Sequence, residues 1–284
     1  YLGFNEDLQG RMVFNGIAPH VAGAGRIMLN YRFAQPGRYS RKHADHSYPS
    51  DLFPFAYSET PDLLNGYEDK KDGILKRQST DPLVIHTQTS SEYWERRGSL
   101  VHTDVAGNDL PDHEKARIYF FSGSQHQAQP GAGPLDGHHR YLSNPLNTTP
   151  LLRALLDALD LWATDGVLPP DSRVPRRSEN TAVTADVVQN TFPNISGVDC
   201  PGEPSRLIRQ DYGPGFRDGI ISKEPPEPDL TREYAVLVPQ VDADGNEISG
   251  IRTPDVEVPL ATFTGWNYRP EDMASKGSAG IVGS

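Results

Sequence analysis

Cysteine is almost missing from this chain: Cys200 is the single one among 284 residues. One thiol closes no intramolecular disulfide, and zinc sites built on several cysteines are excluded. Long apolar runs are missing as well. None approaches the ~18 residues that a membrane-crossing helix needs, and mean hydropathy is −0.57. Positive charge is in deficit, with 27 Lys and Arg against 38 Asp and Glu and a formal net charge of −11. Such a surface repels phosphate backbones and anionic headgroups, so neither nucleic acid nor a membrane is an expected partner. The opening YLGFNEDLQGRMVF has no charged-then-apolar start and no A-x-A site, so it is not a signal peptide. It reads as the end of a helix and a turn, and the start at Tyr1 is expected to reflect processing or a cut.

Glycine and proline are abundant instead. There are 26 glycines and 25 prolines, close to a fifth of the chain, against a usual ~12%. Loops and turns therefore take a large share, and an all-helical bundle is excluded. Hydrophobic residues at 36% and charged residues at 23% are too apolar a mixture for a disordered chain. The length fits one large domain or two small ones.

Three apolar stretches suit strands buried on both faces: residues 16–24, 82–89 and 116–121. A helix is expected over Glu92–Leu100. A clearer one covers residues 149–166, with Thr149 as N-cap and Pro150 at the first helical position. There Leu151, Leu152, Leu155, Leu156, Leu159 and Trp162 recur at helical spacing, and Gly166 ends the run. Alternating strands and helices argue for a parallel α/β sheet. Residues 25–80 read as a long irregular, lid-like insertion. Beyond residue 168 the chain turns Pro-rich, and the stretch from Glu233 to Trp266, with its Asp-Gly turn, reads as a β-hairpin.

The most informative pair is Glu92 and His126. Each stands just past the end of an expected strand, where open parallel sheets gather functional groups. A carboxylate that orients and charge-balances an imidazole needs that spatial adjacency. On spacing alone, a solvated glutamate and a loop histidine are the preferred reading. Ser90, Ser91 and Tyr93 flank Glu92, as strand-end caps or as groups that position its carboxylate. Trp94 lines a pocket or packs in the core. Arg32, Phe33, Phe53 and Phe55 are candidates to line a substrate pocket, because they lie in the aromatic stretch from Tyr31 to Tyr57. His20 ends a strand, and faces the site or is a structural histidine; His102 pairs with Asp104 or is structural; the structural reading is preferred for both. His43 and His46, spaced i and i+3, sit in a segment that reads as a solvated loop, so no metal site is expected. The DADGNE sequence at 242–247 lacks the glutamate that would complete a calcium loop and reads as a turn.

The segments YLGFNED, APHVAGA, RFAQP, DLFPF, SSEYW, SLVHTD, NPLN, LLRALLDALDLW and VPLATFTGWN occur in order. Together they resemble a bacterial family of α/β-hydrolase-domain proteins of largely uncharacterised substrate, from Tyr1 to about Trp266. The resemblance implies Glu92, in SSEYW, as the acid and His126, in SGSQH, as the base. It also implies a Gly-x-Ser-x-Ser-Gly elbow carrying the nucleophile shortly before the segment that matches Tyr1. No Gly-x-Ser-x-Gly occurs in the sequence. Ser124 lies on the histidine's own loop, and Ser278 lies in a tail-like segment.

The expected fold is therefore α/β: a partial α/β-hydrolase fold over residues 1–168, contributing the C-terminal strands of a mostly parallel sheet. A Pro-rich extension with a hairpin would span 169–284 and pack on the core. The expected function is that of a serine hydrolase acting on a small ester-like substrate without a cofactor, inactive unless joined by an N-terminal hydrolase segment. The alternative is a non-catalytic binding or structural module with a degenerate hydrolase fold. Localisation is not encoded in any feature of the sequence.

Overall fold

The computed structural model describes residues 5–25, 52–128, 139–200, 202–223, 226–270 and 283–284. Its elements, in chain order, are β1 (Gly16–Ile17), β2 (Thr60–Asp62), β3 (Tyr67–Asp72), β4 (Leu83–Thr89), α1 (Ser90–Glu95), β5 (Ala116–Phe121), α2 (Thr149–Asp165), β6 (Ala182–Val183), α3 (Ala185–Thr191), β7 (Ile208–Asp211), β8 (Glu227–Glu233), β9 (Val238–Pro239) and α4 (Pro254–Glu257). The architecture is α/β. A parallel sheet in the order β1-β4-β5 forms the centre, and three two-stranded antiparallel ladders, β2-β3, β6-β9 and β7-β8, surround it.

The central strands behave as their composition demands. Successive side chains of a strand point to opposite faces, so a strand covered on both sides must be apolar at consecutive positions. In β4, Val84 enters one core with Ile118, Leu100 and Phe55, while its neighbour Ile85 enters another with Tyr119, Leu155, Leu159 and Trp162. Helix α2 closes the second core. It starts one residue before the expected point, with Thr148 as N-cap, and Gly166 ends it with φ +70°. Its stripe is narrower than the leucine spacing suggests, because Leu156 is exposed. Gly16 of β1 explains how α2 comes so close: a Cβ there would stand 3.0 Å from the Leu159 side chain.

Two expectations change. The helix starting near Glu92 covers only α1, because Arg97 takes a left-handed φ of 55° and a 3-10 turn, Gly98–Val101, follows. The strand over 16–24 pairs regularly only at Gly16–Ile17, then runs on beside β4 through the His20–Thr87 bridge. Pro19 has no N–H to give a ladder, but its carbonyl accepts from Thr87 N at 2.9 Å.

The expected C-terminal hairpin is present but short, closing over Gln240–Ile248 around the Asp-Gly turn: Asp242 N donates to Asn246 O at 2.8 Å and Ile248 N to Gln240 O at 3.1 Å, flanking an antiparallel Val241–Glu247 bridge. The Asp242 side chain accepts from Asp244 N and Asn246 N within the turn. The chain before the hairpin pairs with β6, and the chain after it reaches the open edge of β5. There Phe120 N donates to Arg173 O at 2.8 Å, and Ile251 N donates to Phe120 O at 2.7 Å. Two separate stretches from beyond residue 168 thus satisfy edge groups that would otherwise face solvent. Gly250 permits this approach, since its φ is +84° and a Cβ would stand 2.4 Å from Phe120 O. No helix among the described residues is long and apolar enough to cross a membrane.

Candidate active site

The carboxyl ends of β4 and β5 carry the site. β4 runs directly into α1, so Thr89 closes the strand and Glu92 falls in the first turn of the helix. The sequence Thr-Ser-Ser-Glu is a capping-box pattern, in which a glutamate at the third position reaches back to the start of its helix. Glu92 Oε2 does this, accepting from Thr89 N at 2.9 Å and from the Thr89 hydroxyl. Its other oxygen, Oε1, accepts from His126 Nδ1 at 2.6 Å. The Glu92 side chain is fully buried, whereas that of His126 is 24% exposed. A buried carboxylate anchored by both donors of Thr89 therefore faces an imidazole that opens outward.

The loop after β5 places His126. Its backbone N–H donates to Ser91 Oγ at 3.1 Å, and that hydroxyl donates to Gly265 O at 2.6 Å. Ser90 N donates to Ser124 O at 3.1 Å. The two loops are thus stitched together beside the Glu92–His126 contact. Ser90 and Ser91 both hold the loops, while Ser124 turns its own hydroxyl to Phe121 O at 2.6 Å. His126 Nε2 has no hydrogen bond to any described residue.

His20 also belongs to this end of the sheet. Its Nδ1 lies 2.8 Å from Thr87 Oγ1, and its Nε2 is buried without a hydrogen-bond partner among the described residues. Burial lowers its pKa. The Glu92 charge acts against that shift and the His126 charge reinforces it, so both groups are within electrostatic reach. His86 and His102 are deeper. Each shares one ring nitrogen with a phenol, Tyr57 and Tyr93 respectively, at 2.8 Å. Burial pushes both down to about 3, so they are neutral structural imidazoles.

The other candidate residues separate from this cluster. Phe55 is buried against Tyr234 at a ring distance of 5.1 Å, and Phe53 packs beside it in the core on the far side of β4 from α2. Trp94 stacks edge-on against Trp266 at 5.2 Å, in a core with Val188 and Val238. Arg32, Phe33, His43, His46 and Ser278 lie outside the described residues.

One group went unread in the sequence. Glu247, the last residue of DADGNE, is buried beneath both loops. Its Oε1 accepts from Ser90 Oγ and its Oε2 from Gly123 N, each at 2.7 Å, while its carbonyl accepts from Ser122 Oγ at 2.8 Å. Burial raises its pKa to about 7, against the pull of those two donors. The surrounding letters signal only a turn, and no periodicity marks a glutamate as inward-facing.

A parallel sheet with a buried acid and a half-open histidine on adjacent strand ends is the arrangement of an α/β hydrolase. The chain belongs to the family described as "Alpha/beta hydrolase domain", whose model matches residues 1–284. No curated protein and no solved structure matches it.

Proposed function

We propose that the chain carries the acid and base of a serine hydrolase that cleaves an ester-like acyl bond. The observation that carries this reading is the 2.6 Å contact between His126 Nδ1 and the buried Glu92 carboxylate. A carboxylate on Nδ1 keeps the proton there and leaves the Nε2 lone pair free to act as a base. Nε2 would accept the proton of an attacking serine hydroxyl as its oxygen bonds to the acyl carbon. His126 would then pass that proton to the leaving group, and water would resolve the acyl-enzyme by the same route. Glu92 would hold the ring and balance the imidazolium charge.

The nucleophile is the part this sequence lacks. An elbow serine presents its oxygen at a strand-to-helix turn, with the next backbone N–H as an oxyanion donor. No Gly-x-Ser-x-Gly is present, so the serine and its oxyanion donors would come from a preceding segment. The 284 residues alone are then catalytically incompetent, since losing the nucleophile costs orders of magnitude in rate. A fluorophosphonate probe, which labels activated serines, tests both statements. The isolated chain is expected to stay unlabelled. A longer protein bearing an elbow serine is expected to be labelled, and H126A should abolish that labelling. Stoichiometric labelling of the 284 residues would overturn the reading.

A further inference from the structure

We infer that Glu247 is a positioning residue: a strut that fixes the Glu92 loop and the His126 loop in one relative geometry. The inference rests on the reading of Glu92 and His126 as the acid–base pair. Its basis is that one buried carboxylate bonds both loops at once. Oε1 takes the hydroxyl of Ser90, which opens α1 two residues before Glu92. Oε2 takes the backbone N–H of Gly123, three residues before His126. The main chain of the same residue takes Ser122 Oγ. Three bonds from one residue thus span the gap across which the 2.6 Å pair must form.

The surroundings show why a carboxylate is suited to this place. Gly123 has φ +66°, and a Cβ there would stand 3.2 Å from both Phe263 Cβ and Phe263 O. This is a tight turn whose N–H has to find an acceptor inside the core. The nearest chain on the other side is equally close, since a Cβ on Gly265 would lie 2.3 Å from Ser91 N. Asn144 completes the clamp by donating to Gly123 O at 2.6 Å and Thr264 O at 2.8 Å. Glu247 makes no hydrogen bond to either member of the pair, so it acts through the loops. A shift of a fraction of an ångström between the loops lengthens a charged hydrogen bond and weakens it. The stretch after residue 168 therefore supplies the brace for the acid and the base, besides covering a sheet edge.

The test reads the imidazole of His126 in the isolated chain by NMR, through its far-downfield Nδ1–H resonance. E247A is expected to broaden or erase that resonance, as a loosened carboxylate holds the proton less firmly and lets it exchange with water. E247Q keeps an oxygen for Gly123 N and an amide for Ser90 Oγ, and is expected to restore the resonance. L155A, a core change on the α2 side chosen to cost at least as much thermal stability, is expected to leave it sharp. An unchanged resonance in E247A, or an equal loss in L155A, overturns the inference. Should E247A fail to fold, S90A removes one arm of the strut: broadening supports the role and an unchanged signal refutes it. The readout requires no turnover, so an absence of acyl-transfer chemistry in any longer protein would fail the functional reading and remain distinguishable from a failure of the strut, which the resonance alone reports.

Discussion

Glu247→Gln should change how stability depends on pH, and the structure gives both sign and size. In the folded chain, burial raises the carboxyl from 4.5 to about 7. Below pH 4.5 the group is neutral in both states and costs nothing. As pH rises from there to 7, the unfolded chain ionises freely while the folded one resists, so the unfolded state is progressively favoured. Each tenfold change in proton affinity is worth about 1.4 kcal/mol, so the loss reaches about 3 kcal/mol by pH 8. The glutamine variant cannot ionise and escapes it. His86 and His102 work in the opposite direction. Their folded values near 3 lie below 6.5, so their contribution is present above pH 6.5 and lost as pH falls toward 3. Both histidines are present in both proteins, and the difference between variant and parent cancels them. Urea unfolding at pH 4.5, 6 and 8 should therefore show E247Q gaining on the parent by about 3 kcal/mol across the range. A difference that stays flat with pH would refute the reasoning.

Other expectations follow from the same geometry. In a longer protein bearing the nucleophile, E92Q should lower ester turnover by about 10⁴-fold, the scale seen when a triad acid becomes an amide; stopped-time assays with an activated ester read this directly. L159A should cost about 2–5 kcal/mol in chemical unfolding, because the cavity opens between α2 and β1 where Gly16 admits no filler. G250A combines a left-handed φ with a Cβ 2.4 Å from Phe120 O. It should lower the melting temperature more than a G202A control, at a glycine where a Cβ meets nothing within 4 Å. Y93F removes the one partner that His102, a buried imidazole, has among the described residues, where its Nδ1 has none. It should cost about 1–3 kcal/mol, measured by unfolding at neutral pH.

The parts of the fold that were legible in the sequence are those governed by short-range pattern. The apolar runs of β4 and β5, and the leucine spacing, Pro150 and Gly166 of α2, all report local burial and capping. Leu156 shows the limit, since helical spacing alone does not say how wide the covered stripe is. The adjacency of Glu92 and His126 was readable because both sit just beyond strand ends that pair in parallel. The hairpin reading holds only over Gln240–Ile248, where the segment pairs with itself. The chain on either side of it finds distant partners, Ala182–Val183 and the edge of β5. Partner choice over such distances leaves no trace in a window of ten residues. Glu247 was hidden in the same way: its identity as an inward carboxylate depends on Ser90 and Gly123, more than a hundred positions earlier.

The sealed edge of β5 also sets an order of events during synthesis. Phe120 O finds its partner in Ile251 N, a residue translated about 130 positions later. At typical rates of about 5–20 residues per second, that interval is on the order of ten seconds. The Arg173 stretch covers Ile118 O and Phe120 N earlier in that interval, and the Phe120 carbonyl and Ser122 N–H at the end of the strand wait for Ile251 throughout it. Ribosome-bound chains stalled before residue 173 are expected to aggregate most, those stalled between 173 and 251 less, and release of the finished chain should end the exposure.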